Sequence, residues 1–243
     1  MKRQAILIGA PGVKTSKKYL HGVDVDITNY INFLQSAIGG AWIKSEINEI
    51  KNPDKENLIR LIRSVKADYL LIVFSGHGSF ALSGETTLSI NKTEHIALQD
   101  LITFTPTVSK VMFVLDTCRN FVDSNFSNCI GESAIFFTSQ LSKAQSRMLF
   151  DRQLKKCEDG IIFCYSCAIG QTSIDTNNGG CFTTSLLYIA QKWAAKQDIY
   201  SVLTIDTAFG LAKNDITTYI TKNQSPQLRV SNQRRCWFPF AIR

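Results

Sequence analysis

The fold of this chain is best predicted from two similar stretches: LIVFSGHGS at residues 71–79 and VMFVLDTCRN at residues 111–120. Each is an apolar run that passes directly into a short polar motif. Runs of this kind, bounded by glycine or polar residues, are typical of buried strands in a parallel sheet. The first run leads into His77 and the second into Cys118. Because the carboxyl ends of parallel strands lie along one edge of a sheet, we expect the two side chains to meet there if their strands are neighbours.

Strands and helices alternate along the rest of the chain. The predicted strands cover residues 5–10, 41–47, 68–75, 110–115 and 161–166, and the predicted helices cover residues 24–38, 52–65, 98–103, 180–196 and 204–221. A hairpin pattern lies between residues 79 and 96, and CWFPFAI near the end indicates a last strand, in an edge position because of Pro239. The alternation predicts an α/β fold with a mostly parallel sheet covered on both faces. Since neither a linker nor a repeat divides residues 1–243, we expect a single domain.

The composition argues against several classes of protein. The chain has 243 residues, of which 44% are hydrophobic, so it can bury a substantial core. No apolar stretch approaches the ~18 residues of a membrane span, and the apolar run near the start is too short for a secretory signal. We therefore expect a cytoplasmic protein without a membrane partner, in which all seven cysteines are reduced. The net charge of +7 comes from scattered Lys and Arg residues without a nucleic-acid-binding motif, so we expect no nucleic-acid partner.

The combination of one histidine and one cysteine points to nucleophilic catalysis. A nearby imidazole raises the thiolate fraction of a cysteine or takes its proton during attack. The glycines on both sides of His77 allow a sharp turn, and backbone N–H groups around Gly78 and Cys118 could stabilise an oxyanion. Two simpler interpretations remain at this point: Cys118 as a small buried hydrophobic residue, and His77 as a structural residue of a glycine-rich turn.

The residues of these motifs also resemble those of a known protein family. FSGHGS and LDTCRN resemble the caspase superfamily of cysteine peptidases, and most closely its metacaspase-like and bacterial branches. The segments AILIGAPG, YLHGVDVDITNYINFL, IIFCYSCAIGQTSID and GGCFTTSLL are similar to further parts of that family, in the same order. Asp-Thr-Cys at residues 116–118 departs from the Gln-Ala-Cys of animal caspases and resembles metacaspases. The resemblance implies a three-layer α-β-α sandwich, with Cys118 as nucleophile, His77 as general acid/base, and Gly78 and Cys118 as oxyanion donors.

The resemblance also implies a substrate preference. Asp26, Ser75 and Asp116 match the polar positions of the first substrate pocket in metacaspases, which implies cleavage of protein or peptide substrates after Arg or Lys. Alternatives are that Asp26 is an ordinary acidic residue of a first helical turn, and that Arg234 and Arg235 serve a pocket for acidic residues. A catalytically silent, caspase-like scaffold is the alternative to an enzyme. The sequence identifies no regulatory partner.

A long stretch with weak periodicity, residues 119–159, follows the cysteine motif. Loops of more than ~15 residues are uncommon and often functional, and caspases carry at this place the linker that is cut on maturation. One hypothesis is therefore a processing loop that the enzyme itself cuts between Lys143 and Lys156, a span with several basic residues. The alternative is an amphipathic helix over the sheet at residues 141–154.

Two sets of residues are candidates for metal binding. Cys164 and Cys167 form a CxxC pair with Cys157 and Cys181 nearby, but Cys164 lies inside an apolar strand. Some metacaspase relatives need calcium, for which the candidate ligands are Asp24, Asp26, Asp116, Asp123 and Asp175, although no EF-hand spacing is present. We expect no cofactor, and calcium is the alternative.

Overall fold

The computed structural model describes residues 1–81, 84–105, 107–120, 141–233 and 235–243. Its helices are α1 (Gly22–Gln35), α2 (Lys55–Ser64), α3 (Leu98–Thr103), α4 (Lys143–Lys156), α5 (Cys181–Ala194) and α6 (Ile205–Asp215), with a 3₁₀ turn at Lys44–Glu46 and a π-helical turn at Ile216–Ile220. Its strands are β1 (Arg3–Ala10), β2 (Ile47–Lys51), β3 (Tyr69–Gly76), β4 (Gly78–Phe80), β5 (Thr86–Ser89), β6 (His95–Ala97), β7 (Lys110–Asp116), β8 (Gly160–Tyr165), β9 (Asp175–Thr176), β10 (Gly179–Gly180), β11 (Val202–Thr204), β12 (Gln227–Val230) and β13 (Pro239–Ile242). None of the described helices has the length and apolar character needed to cross a bilayer.

The central sheet contains the two strands that carry the histidine and cysteine motifs. Its strand order is β12-β8-β7-β3-β1-β2, and every neighbouring pair is parallel except β12 with β8. Strands β3 and β7 are therefore direct neighbours, with Ser75 opposite Asp116 at their carboxyl ends. This confirms that both motifs open onto the same edge of the sheet.

The two faces of the sheet are buried in separate hydrophobic cores. Successive side chains of a strand point to opposite faces, so Leu71 and Val73 of β3 lie in the core that also contains residues of α1, α4, α5 and α6. Ile72 and Phe74 lie in the other core, with residues of α2 and α3. The predicted three-layer α-β-α sandwich is thereby confirmed. Burial on both faces explains why β3 and β7 are continuous apolar runs instead of alternating ones.

The second strand lies further along the chain than the sequence predicted. The prediction covered residues 41–47, but β2 begins at Ile47. Gly40 and Ala41 have positive φ values of 92° and 50°, so the backbone turns where a strand would have to be extended. Trp42 packs into a core from this turn, which accounts for its apolar character without a strand.

Three small antiparallel sheets complete the described part of the fold, and one of them is the short pair β9-β10. Strands β4, β5 and β6 form the sheet that the hairpin pattern predicted. The last strand, β13, pairs with β11 and lies outside the central sheet. Pro239 begins β13 at an irregularity of this ladder, a position where a missing backbone N–H is tolerated.

The region after the cysteine motif contains a helix, which is the second of the two alternatives derived from the sequence. Ser142 and Gln145 form a capping box at the start of α4, in which each accepts a hydrogen bond from the backbone N–H of the other, at 3.3 and 3.1 Å. The buried residues of α4 are Ser146, Leu149, Phe150 and Leu154. The expectation of a loop that reaches residue 159 is therefore wrong over α4. Residues 121–140 lie outside the described part of the chain.

Candidate active site

The turn after β7 presents Cys118 at the edge of the sheet. The residue is partly exposed, and its Sγ donates to the carbonyl oxygen of Ser173 at 3.7 Å. Neighbouring hydrogen bonds fix the turn: the Thr117 N–H donates to Ser166 Oγ at 3.1 Å, and the Arg119 N–H donates to the Gln171 carbonyl at 3.0 Å. Cys118 is thus an accessible thiol on a well-anchored backbone and not a buried core residue.

The side chain of Arg119 supports this turn from within the protein. It is 1% exposed, and burial lowers its pKa. The guanidinium donates to Thr86 Oγ1 at 3.3 Å and to Gln227 Oε1 at 3.1 Å, and it stacks 4.0 Å from the ring centre of Tyr165. One buried arginine therefore ties the cysteine turn to β5, β8 and β12.

The chain brings His77 to the same edge directly after β3. Its Nε2 lies 2.7 Å from the backbone carbonyl oxygen of Lys18. Because a carbonyl can only accept, Nε2 carries the proton of the neutral ring, and Nδ1 is the nitrogen that can accept one. Sequence reasoning missed Lys18, since any residue type can supply a backbone carbonyl.

The glycines on both sides of His77 allow close packing at the end of β3. A Cβ on Gly78 would lie 2.3 Å from Thr117 Oγ1, and one on Gly76 would lie 2.6 Å from the Ala10 carbonyl oxygen. Both distances are too short for any side chain, so only glycine fits at either position. The strand that follows His77 therefore lies directly against the turn that carries Cys118.

A narrow pocket opens beside Cys118. Its lining includes Asp26, Ser75, Asp116 and Cys118 itself, so the structure brings together the candidate nucleophile and the predicted substrate-binding residues. The cavity volume is about 10 Å³, roughly the space that one water molecule requires.

Hydrogen bonds hold the two deepest carboxyl groups of the pocket in place. Asp26, which is 0% exposed, accepts from Ser75 Oγ at 2.6 Å and from the Gly180 N–H at 2.9 Å. Asp116 accepts from Ser173 Oγ at 2.5 Å. Among the residues that the structure describes, neither carboxyl group has a salt-bridge partner. The pocket thus has oriented acidic groups whose charge is not balanced by a base.

Burial raises the pKa values of the acidic groups in this pocket. For Asp26, burial and then the charge of Asp116 raise the pKa well above its usual range. Burial also raises the pKa of Asp116. Hydrogen bonds from Ser173 and from Thr183 of α5 act in the opposite direction and lower it. Burial raises the pKa of Asp175, a third acidic residue of the lining, to about 6. A cationic side chain in the pocket would favour the ionised carboxylates and would be attracted by them.

Two consecutive glycines that the sequence did not identify as site residues lie against the carboxyl groups of the pocket. A Cβ on Gly179 would lie 2.5 Å from Asp26 Oδ1, and a Cβ on Gly180 would lie 2.3 Å from Asp116 Oδ2. Their backbone can therefore approach both carboxyl groups. The consecutive glycines are visible in the sequence, but nothing in the sequence shows which side chains they face.

Comparison with known proteins identifies the family of the chain. Residues 2–238 match the family model described as the caspase domain, peptidase family C14. The chain belongs to the caspase family. Caspase-1 from Spodoptera frugiperda has a similar fold, with a TM-score of 0.60 and 14% identity over 94% of this chain and 86% of that one. A protein from Geobacter sulfurreducens gives a TM-score of 0.64 and 13% identity over 100% of this chain and 99% of that one. No curated protein matches the chain.

Membership makes this chain a caspase-family cysteine peptidase domain, whose substrates are peptides or proteins. One of the two arginines considered for a pocket that binds acidic residues lies away from the candidate active site. The backbone N–H of Arg235 donates to Glu158 Oε1 at 3.2 Å, and Glu158 precedes β8, so Arg235 lies at the opposite edge of the sheet from Cys118. Arg234 lies outside the described residues.

The candidate calcium ligands do not form one cluster. Asp24 forms a salt bridge with Lys51 at 2.6 Å, whereas Asp26, Asp116 and Asp175 line the pocket. Asp123 lies outside the described residues. Within the described parts of the chain, no group of three His, Cys, Asp or Glu side chains is arranged to hold a metal ion. The described candidates therefore do not by themselves form a calcium site, and a calcium requirement stays a prediction of the resemblance.

Proposed function

We propose that this caspase-family domain is a cysteine endopeptidase that cleaves peptide bonds after Arg or Lys, with Cys118 as nucleophile and His77 as general acid/base. The observation that carries the proposal is that Cys118 lines the same pocket as the buried acids Asp26 and Asp116. A substrate side chain held by those acids would lie next to the thiol, as cleavage after that residue requires.

The proposed reaction has two steps, acylation and hydrolysis. Cys118 Sγ attacks the scissile carbonyl carbon while its proton passes to Nδ1 of His77. The C–N bond then breaks, and the imidazolium returns the proton to the leaving amine, which leaves a thioester on Cys118. Water that gives a proton to the same nitrogen hydrolyses the thioester and restores the thiol. The N–H groups of Gly78 and Cys118 are the proposed oxyanion donors in both steps.

The hydrogen bond from His77 to the Lys18 carbonyl supports this assignment. It fixes the ring so that Nδ1 is the basic nitrogen, and it stabilises the positive charge that the ring carries after taking the thiol proton. A backbone carbonyl can perform this orienting role without a third catalytic side chain.

The chemistry of the pocket supports a basic substrate residue. The guanidinium of Arg is a planar fork of donors that matches carboxylate geometry, and Lys offers a single charged group with rotatable donors. Asp26 and Asp116 supply the carboxylates, and Ser75 adds a hydroxyl oxygen. We therefore propose that Arg is preferred over Lys.

The pocket must widen to admit such a side chain. A cavity of about 10 Å³ has room for about one water molecule, which is far less than an Arg side chain needs. Ser173 and Gly180 contribute to its wall and are bonded to the two acids through single hydrogen bonds. Substrate binding in this proposal exchanges those bonds for bonds to the basic group.

An active-site probe and a peptide library together test the proposal. A thiol-directed activity probe should label the purified protein but not Cys118→Ala, and a positional-scanning library should show cleavage after Arg and Lys. A matched control is Cys164→Ala, which removes a fully buried thiol and should still be labelled. A folded protein that is neither labelled nor active on any library member would instead support a catalytically silent scaffold.

A further inference from the structure

A pair of thiols lies close together far from the candidate active site. Cys157 follows the last residue of α4, and Cys236 lies shortly before β13. Their Sγ atoms are 3.1 Å apart although the residues are 79 positions apart in the chain, so the fold brings them together. Cys157 is buried, whereas Cys236 is partly exposed. We refer to these two residues as the cysteine pair.

Hydrogen bonds hold together the two segments that carry the cysteine pair. Glu158 accepts from the backbone N–H groups of Arg235 and Cys236, each at 3.2 Å. Gln153 contacts both sulfurs: its carbonyl accepts from Cys157 Sγ at 3.2 Å, and its Nε2 donates to Cys236 Sγ at 3.3 Å. The proximity of the sulfurs is therefore supported by four further contacts and does not depend on two side-chain rotamers alone.

We propose that the cysteine pair is an oxidation site, at which a peroxide or a small-molecule disulfide joins α4 to the C-terminal strand through a Cys157–Cys236 disulfide bond. The sulfurs must approach by about 1 Å to reach the ~2.0 Å length of an S–S bond. Both residues lie outside helices and strands, where the backbone can adjust with the least loss of hydrogen bonds.

The reaction with hydrogen peroxide balances as follows. The more exposed thiol, Cys236, reacts first and becomes a sulfenic acid, with release of one water molecule. Cys157 Sγ then attacks the sulfenic sulfur and displaces its hydroxyl group, which leaves with the Cys157 proton as a second water molecule. The two thiols lose two electrons in total, and the peroxide gains them. With a small-molecule disulfide, the same two electrons reduce it to two thiols.

The cysteine pair is separated from Cys118 by the length of the sheet. Gly160, three positions after Cys157, pairs with Lys110 at the start of β7, whereas Cys118 follows the end of that strand. Strand β7 has 7 residues and therefore spans about 23 Å. Cys167 lies closer to Cys118, but burial raises its pKa to about 12, so its thiol reacts slowly. Oxidation of the pair is therefore expected to proceed without Cys118.

The cross-link would stabilise the folded chain. A disulfide restricts the unfolded chain most when it closes a long loop, and this one would close a loop over the 79 positions that separate the two cysteines. For a chain of this size we expect Tm to rise on the order of 10 °C.

Peptide mapping of the oxidised protein tests the proposal directly. The Cys118→Ala chain is treated with a few equivalents of hydrogen peroxide, blocked with N-ethylmaleimide at low pH and digested with trypsin and a Glu-specific protease. Cleavage after Lys156, Glu158 and Arg235 isolates the dipeptide 157–158 and the peptide 236–243. We expect these two joined by a disulfide in most molecules, and separated after treatment with dithiothreitol.

Control variants make the result specific. The linked product should persist in Cys164→Ala and disappear in Cys236→Ser, and the rise in Tm on oxidation should be absent from Cys236→Ser. Peptide 236–243 recovered mainly with a maleimide group, or joined to another cysteine, would overturn the proposal. A linked protein with an unchanged Tm would overturn the stabilising role.

Discussion

Ser75 and Asp116 stand opposite each other at the carboxyl ends of β3 and β7, and both line the pocket beside Cys118. His77 lies two positions after Ser75, and Cys118 lies two positions after Asp116. Both candidate catalytic residues therefore leave the sheet from the same pair of facing residues. The same strand pairing therefore positions the candidate catalytic groups and two polar groups of the candidate substrate pocket.

The first prediction concerns Cys118 and His77. Cys118→Ala and His77→Ala should each lower kcat/KM for a peptide substrate by at least about 10³-fold, because each removes one of two groups that act as a unit. The double variant should be scarcely worse than either single one. Peptide kinetics measure the loss, and thermal unfolding verifies that the variants are folded. Substantial hydrolysis by Cys118→Ala that copurifies with the protein through two chromatographic steps would contradict the assignment.

The second prediction separates two acidic residues of the same helix. Asp26→Asn should lower kcat/KM for an Arg substrate roughly 10–100-fold, the cost of one charged hydrogen-bonding partner. Asp24→Asn is the matched control: Asp24 lies two positions earlier in α1 and pairs with Lys51, so its loss should leave kcat/KM unchanged. Equal effects of the two substitutions would show that general negative charge, and not the pocket, determines the rate.

The third prediction concerns pH and Asp175. With its pKa raised to about 6, this group ionises as the pH rises through that value and adds negative charge to the pocket. We therefore expect a rise between pH 5 and pH 7 in the ratio of kcat/KM for an Arg peptide to kcat/KM for the same peptide with citrulline, an uncharged residue of the same shape. The ratio is used because it cancels the titration of the catalytic pair. In Asp175→Asn this rise should be smaller, and an identical pH profile in both proteins would exclude Asp175 as a pocket charge.

The same group predicts a pH dependence of stability. A carboxyl whose pKa is raised in the folded state favours folding while it is protonated, and this contribution is lost as the pH rises through about 6. Asp175→Asn should therefore gain Tm relative to the wild-type chain between pH 5 and pH 7.5. Parallel thermal unfolding at the two pH values measures this difference, and a gain of Tm that does not change with pH would show that ionisation is not its cause.

The fifth prediction is that the active enzyme remains one uncut chain. Residues 120–142 contain neither Lys nor Arg, so the basic residues proposed for self-cleavage lie in α4. A peptidase binds its substrate in an extended form, whereas α4 is a capped helix with buried Leu149 and Leu154. Mass spectrometry of the fully active protein should show the intact mass, and two fragments split between Lys143 and Lys156, absent from Cys118→Ala, would show that α4 opens for processing.

The sequence predicted the parts of the fold that depend on apolar periodicity. β3 and β7 were identifiable because burial on both faces requires unbroken apolar runs, and their polar ends identified His77 and Cys118. The second strand was predicted too early because Trp42 is apolar for reasons of core packing, while Gly40 and Ala41 turn the backbone. A single sequence does not show this distinction.

The rest of the candidate site depends on contacts between distant segments. Asp26 and Asp116 were identified through the family resemblance, and the structure shows that they share a pocket. The Lys18 carbonyl has no sequence signal because every residue carries one. Gly180 is legible as a turn residue, but its contact with Asp116 depends on how α5 packs against the sheet.

The most direct test of the account is the rate of cleavage of four peptides that differ only in the residue before the scissile bond: Arg, Lys, citrulline and Asp. Citrulline has the shape of Arg without its charge, so the comparison isolates the effect of the buried carboxylates. We predict the highest kcat/KM for Arg, a lower value for Lys, values at least about 100-fold lower for citrulline and Asp, and no cleavage by Cys118→Ala. Preferred cleavage after Asp, or equal rates for Arg and citrulline, would contradict the proposed specificity.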